Sequence, residues 1–434
     1  MLAFAGFITM LAVVALIMSK RVSVTVALCL VPIITGIAIG EWGNLGAYIT
    51  DGIKRVAPNA AMFSFSILFF GIMSDVGVFD VIIHKIMKLI GKDPVKICIG
   101  AYITTFIAHL DGAGAITCII TLGAFMPVFK KMKMDRRNLL LILAMVAGIM
   151  NAIPWGGPTM RAMVALGTST EETFTAMLPV LGVGLAVAFA ITVWIGVKEK
   201  KRLGHQLDLI SLEIPKMEDL SPEQAALRRP KLLVVNMLLT VAAIVALLAG
   251  VLNNAAVFMV ATALALLINF RKPSEQLERV SAHAPNAMSM VSILFAAGIL
   301  NGVLTNTGML TAMASALIGW LPNVLGKHLP ALVGVFSVPL GMVSDPDSFY
   351  YAVLPMLAET GEVYGIPAVT FARAAMVGHT TVGWTISPLI GTTFLMVGMG
   401  EVELGDHQKY SGLILWGLSI SMLIAAILMG LIPL

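Results

Sequence analysis

Apolar runs of roughly 16–22 residues recur from Leu2 to the C-terminus, each long enough to cross a hydrocarbon core of about 30 Å at 1.5 Å per residue. "LLLILAMVAGIM" and "TVAAIVALLAGVL" are apolar on every face, whereas the strands of a membrane barrel alternate apolar and polar residues. The runs therefore read as helices. A chain of 434 residues that is 58% hydrophobic and 12% charged, with a mean hydropathy of +0.94, cannot clothe a water-soluble globule. The expected class is an all-α polytopic membrane protein, with a lipid bilayer and no nucleic acid as partner. In the first run the charges Lys20 and Arg21 follow the apolar stretch and no A-x-A site ends it, so it reads as a retained helix. Cys29, Cys98 and Cys118 lie in apolar segments without metal-ligand spacing and read as small core residues.

Only one long polar stretch interrupts the chain, and it falls near the middle, at 198–230. On either side of it the sequence repeats. "APNAAMFSFSILFFGIM" from Ala57 returns as "APNAMSMVSILFAAGIL" from Ala284, about 227 residues later, and "AGIMNAIPWGGP" lines up with "VGHTTVGWTISP" at an offset of about 230. The expected domains are a first repeat, 1–197, a linker, 198–230, and a second repeat, 231–434. In the first repeat the segments run at about 2–18, 22–40, 59–74, 78–91, 95–129, 138–168 and 174–197. The fourth, "VFDVIIHKIMKLIGK", places Lys85, Lys88 and Lys92 on one face, as suits a helix lying in the membrane interface.

Basic residues orient the chain. Lys85, Lys88, Lys92 and Lys96 precede segment 95–129, and Lys130, Lys131, Lys133, Arg136 and Arg137 follow it, so both flanks are expected on the cytoplasmic side. The segment must then enter and return as a re-entrant hairpin with its tip at "HLDGAGAIT". Counting crossings from there puts the N-terminus outside and the central loop in the cytoplasm of a cell (plasma) membrane protein. Each repeat has five spanning helices, one of them broken, so the second repeat is inverted and its hairpin, about 329–357, enters from outside. Lys54 and Arg55 are expected in an external loop.

The broken helices are 138–168 and about 367–399. In the first, Pro154, Gly156, Gly157 and Pro158 forbid continuous helix. Non-helical backbone at membrane depth is tolerated where it lines an enclosed or watery cavity, so two hairpin tips and two breaks point to a mid-membrane binding site. Asp111, Asp345 and Asp347 are candidate ligands for a hard cation, which prefers oxygen; the alternative is that such a residue caps the helix that follows. Asn151, Thr159, Arg161 and the backbone at Gly112, Gly156 and Gly157 are candidates to receive carboxylates, with Ser344, Ser348, Arg373, His379, Thr381 and Ser387 from the second repeat. Arginine grips a carboxylate in a fork that lysine lacks, although each arginine could instead neutralise a nearby Asp. His205, His283, His328 and His407 fall in or near loops and are expected to be solvated, and "DLSPEQAAL" reads as a capping box on Ser221.

"LDGAGAIT", "IPWGGPTMRA", "DSFYYAVLP", "FARAA" and "GEVELGDHQKY", in this twofold layout, resemble the citrate–divalent-metal:proton symporter family (CitMHS) of the ion transporter superfamily. The resemblance implies a secondary transporter with inverted repeats and two re-entrant hairpins, dimeric, and working by an elevator movement. It also implies a second aspartate in the first tip, where this chain has Ala113, and a different second break from "GHTTVGWTISP". Together the readings give an importer of a di- or tricarboxylate such as citrate. No cofactor is permanently bound; Mg²⁺ or Ca²⁺ travels with the substrate, or H⁺ or Na⁺ serves as coupling ion. A channel, or a transporter of another organic anion, is the alternative. An enzyme is not expected, since the chain has no H-E-x-x-H and no G-x-S-x-G.

Overall fold

The computed structural model describes residues 1–19, 21–204, 222–249, 252–319 and 323–434. Most of the expected linker, Ser221 and His205 lie outside the described residues. In chain order the main helices are α1 (Leu2–Met18), α2 (Val24–Ala38), α3 (Leu45–Asp75), α4 (Val78–Ile90), α5 (Pro94–Ala108), α6 (Gly114–Lys131), α7 (Arg136–Met150), α8 (Gly157–Leu166) and α9 (Leu178–Leu203). They continue as α10 (Leu233–Leu248), α11 (Asn254–Asn269), α12 (Pro273–Asn306), α13 (Met309–Ile318), α14 (Leu329–Val343), α15 (Leu354–Glu362), α16 (Ala368–Met376), α17 (Gly391–Met399) and α18 (Leu404–Leu428). There is no strand among the described residues. Among the described residues six helices are long and apolar enough to cross a membrane, and large apolar side chains such as Leu11, Ile34, Val234 and Leu267 face outward.

Local chemistry sets the ends. Asp93 accepts from Val95 N at 2.9 Å with Pro94 at the first helical position, so α5 starts where its free N–H groups have an acceptor. Asp135 does the same for α7 through Arg137 N at 3.0 Å. In α4, Ile83, Met87 and Ile90 are buried while Lys85 and Lys88 stay exposed, an amphipathic helix.

The longest helices, α3 and α12, cross in backbone contact and form the centre of a framework that also holds α1, α2, α10, α11 and α13. A Cβ on Gly52 would lie 2.0 Å from Gly298 O, and one on Gly302 would lie 2.3 Å from Tyr48 O. Only glycine permits this approach. The start of α3 at Leu45 corrects the expected external loop: Lys54 and Arg55 are helical, and Arg55 pairs with Asp51 at 2.9 Å. At the other end of the crossing Asp75 takes His283 Nε2 at 2.8 Å and Arg279 at 3.5 Å, so His283 is a helix-packing residue and not a solvated one. His407 is likewise buried, with Nε2 3.2 Å from Thr385 O.

The second group of helices, α5–α9 and α14–α18, carries both helix pairs with tight tips. The start of α5 and the end of α6 meet at the last turn of α9. Lys200 reaches Asp93 at 2.9 Å, Arg202 donates to Lys133 O at 2.6 Å, and Asn138, just beyond, donates to Glu199 at 3.0 Å. By length α6 could span a membrane, but its partner α5 brings the chain back to the same end of the molecule. Single cysteines replacing Lys92 and Lys133, in a background without Cys29, Cys98 and Cys118, should therefore both react with an impermeant thiol reagent from the cytoplasmic side only. Labelling from opposite sides would make α6 a spanning helix and end the hairpin reading.

Candidate functional site

Four departures from helical geometry fall within the expected hairpins and broken helices: the turn between α5 and α6, residues 151–156 between α7 and α8, the tip after α14, and residues 377–390 between α16 and α17. Side chains tie these places to one another. Trp155, in the first break, donates from Nε1 to Leu110 O of the first tip at 2.8 Å. Asn151 donates across to Thr380 O of the second break at 2.7 Å. From the second break, His379 meets Ser344 Oγ of the second tip at 3.2 Å, and Phe349 stacks on its ring at 3.8 Å. Tyr350 donates to His379 O at 2.8 Å. Finally Arg161, on α8, donates from Nε to Asp347 Oδ1 of the second hairpin at 2.8 Å, with both side chains buried.

Glycines make the turns possible. Gly112 has φ +73 at the first tip, a conformation other residues rarely adopt. Thr380 has φ +58, an outlier for a β-branched residue, held by Asn151 on its carbonyl and His379 Nδ1 on its hydroxyl at 2.7 Å. Thr159 uses its hydroxyl to close the first break, donating to Ala152 O at 2.7 Å.

Several sequence candidates serve this scaffold. Asn151 and Thr159 brace the breaks, Ser344 donates to Leu340 O at 2.8 Å, and Ser387 accepts from Leu389 N at 3.3 Å. Arg373 is placed elsewhere. Its guanidinium donates to Glu172 O at 2.8 and 3.0 Å and to Leu431 O at 3.3 Å, so it pins the α8–α9 connection and the C-terminus instead of facing the break. Of the two arginines, Arg161 lies beside its break, paired with Asp347 as the neutralising alternative expected. Beside it lies a cavity of about 10 Å³ lined by Gly157, Tyr351 and apolar side chains of α3 and α12.

The expected cation shell of Asp111, Asp345 and Asp347 is not assembled. Asp111 accepts from Ala113 N at 2.8 Å, and Asp345 caps its helix by accepting from Ser348 N at 3.0 Å and from the Ser348 hydroxyl. Asp347 is committed to Arg161. A hard cation takes at least six oxygens, and among the described residues no three His, Cys, Asp or Glu side chains converge as a metal site. In this structure the three carboxylates serve separately, in a turn, a cap and an ion pair.

Instead the site has polar atoms with nothing to bond. Among the described residues His109 Nε2, Tyr351 Oη, Thr381 Oγ1 and Trp384 Nε1 are buried without a hydrogen-bond partner. Leaving such groups unpaired costs about 1–3 kcal/mol each, and these four lie at the first tip, the second hairpin and the second break. Tyr351 and Trp384, like Trp155, Phe349 and Tyr350, fall within the quoted motifs but are not among the candidate site residues read from the sequence.

A family model described as "Citrate transporter" (CitMHS) matches residues 7–378. The chain is 42% identical to the "Citrate transporter" of Bacillus subtilis (strain 168) over 434 residues, the whole of both chains. It is 38% identical to the same organism's "Mg(2+)/citrate complex secondary transporter" over 414 residues, 95% of this chain and 94% of that one. Among solved structures, the Alcanivorax borkumensis YdaH transporter shares the fold with a TM-score of 0.60 at 14% identity, covering 91% of this chain and 90% of that one.

Proposed function

The chain belongs to the citrate transporter family, and on that premise we propose that this membrane transporter is a secondary active importer of a di- or tricarboxylate such as citrate, taken up alone or as a complex with Mg²⁺ or Ca²⁺ and coupled to H⁺ or Na⁺. The observation that carries the reading is Arg161. It is a buried guanidinium one turn inside a helix that restarts after a break, paired with Asp347 of the second hairpin and beside Tyr351, whose hydroxyl has no partner among the described residues. One carboxylate of the substrate docks on Arg161, and others are met by the tip and break groups. The metal ion, where present, is cargo whose ligands come largely from the substrate.

Inverted repeats and an elevator movement complete the proposal. Two contact pairs at the α3–α12 crossing exchange halves at the offset of about 227: a Cβ on Gly71 would lie 2.5 Å from His283 Nδ1, and one on Gly298 2.9 Å from Val56 Cγ2. That exchange supports a two-fold relation between 1–197 and 231–434. Both tips and both breaks ride on the second helix group, which faces the framework near Arg161 through apolar side chains, a surface suited to sliding. The framework supplies the surface for a homodimer, with the N-terminus outside and the central loop cytoplasmic in a cell membrane.

The test is radiolabelled citrate uptake into proteoliposomes with and without Mg²⁺, Ca²⁺, Na⁺ and a pH gradient. Saturable uptake and counterflow are expected. Flux that neither saturates nor shows counterflow would make the protein a channel, and no citrate flux under any condition would remove citrate as substrate.

A further inference from the structure

Arg161 uses one edge of its guanidinium and leaves the other open. Nε donates to Asp347 Oδ1 at 2.8 Å, while Nη2 reaches only Met290 Sδ at 4.0 Å. The open edge borders the cavity of about 10 Å³ shared with Gly157, Tyr351, Phe63 and Met290. Tyr351, 1% exposed, has a hydroxyl without a partner among the described residues. A carboxylate could therefore accept from the Nη edge and from Tyr351 once the framework side chains part, since the cavity as it stands admits about one water. Such an anion would share a single guanidinium with the Asp347 carboxylate. Two anions on one buried cation repel, and nothing cationic other than Arg161 lines that cavity.

We propose that Asp347 is a specificity-determining residue, an internal carboxylate held on one edge of Arg161 so that an anionic substrate takes the other edge more tightly when it brings a cation with it. This rests on the reading that Arg161 receives a substrate carboxylate. It adds the reason a cation helps: the site supplies one positive charge, and Asp347 has already matched it.

The experiment measures citrate binding to the purified full-length protein by titration calorimetry, with Mg²⁺ in excess and with a chelator. Wild type should bind about tenfold tighter with Mg²⁺, a difference of about 1.4 kcal/mol. Asp347→Asn should cut that ratio to roughly threefold or less by gaining affinity for the metal-free anion, and Asp347→Glu should restore it. A purely structural partner would behave differently: Asp347→Asn would weaken both forms by the same factor and keep the ratio, which overturns the proposal. Should Asp347→Asn not fold, wild type alone decides through titration with Mg²⁺ in the absence of citrate. No saturable binding is expected, and saturable binding would place the cation in a resident protein site and overturn the inference. Wild type that binds no citrate with or without Mg²⁺ removes the substrate reading and this inference together, whereas an unchanged ratio in a citrate-binding Asp347→Asn removes this inference alone.

Discussion

Citrate affinity should fall at least about tenfold, or 1.4 kcal/mol, when Arg161 is replaced by lysine. Lysine keeps the positive charge, so a role limited to neutralising Asp347 would survive the change. What lysine lacks is the planar fork: its ammonium is a point charge that cannot hold Asp347 on one edge and offer two parallel N–H donors on another. Arg161→Ala is expected to abolish uptake but is the less informative variant. It strands Asp347 as a buried, unpaired charge, at a cost of about 3–5 kcal/mol, and so mixes lost binding with lost stability. The measurement is equilibrium binding and initial-rate uptake on Arg161→Lys protein that elutes as wild type does from size-exclusion chromatography. Wild-type affinity in that protein would confine Arg161 to a structural role and leave the proposed site without its anchor.

Much of this arrangement is legible in the sequence wherever covalent chemistry alone decides. Pro154 and Pro158 cannot donate to a helix ladder, and Gly156 and Gly157 sit between them, so a break before α8 needs no tertiary information. The basic residues flanking 95–129 mark a segment whose two ends belong together, and Asp93 and Lys133 do meet at the end of α9. Other features depend on partners far away in the chain. Lys54 and Arg55 read as an external loop because they fall between the apolar segments 22–40 and 59–74, yet α3 runs through them, with Gly52 packed on Gly298 and Gly302. Arg373 looked like the twin of Arg161 by position beside a break, but its side chain finds the carbonyls of Glu172 and Leu431, contacts no spacing rule could reveal. The clearest case is Asp345 and Asp347. Two carboxylates around a proline suggest a shared ligand, and the structure gives them opposite tasks, one as a helix cap and one as the partner of Arg161. Phe349, Tyr350 and Tyr351 follow immediately and carry no period that separates a ring facing lipid from one bonded inside a break.

Replacing Gly156 by alanine should lower citrate uptake about a hundredfold, the scale expected when a binding group is displaced by about 1 Å, while leaving the fold in place. The backbone at Gly156 is extended, φ −76 and ψ 147, so any residue could adopt it. The requirement for glycine is space. A Cβ there would lie 2.2 Å from Asn151 O and 2.9 Å from Ile153 O, both main-chain atoms that cannot swing aside as a side chain can. Relief must come from moving Asn151, and Asn151 is the residue that donates to Thr380 O across the two breaks. Thr380, kept at a positive φ partly by that bond, would relax and carry His379 with it, loosening the contacts with Ser344, Phe349 and Tyr350 of the second hairpin. The neighbouring Gly157→Ala tests the same logic from the other side, since its Cβ would meet only Arg161 Nη1, at 2.7 Å, the end of a flexible side chain. It should reduce affinity by disturbing the fork and spare the tie between the breaks. Gly417, on α18, has nothing within 4 Å of a Cβ and serves as the neutral control for alanine itself. Uptake at the wild-type rate in Gly156→Ala would show that the first break can shift without consequence. The bond from Asn151 to Thr380 would then be incidental, and the coupling of the two breaks could not be what shapes the binding site.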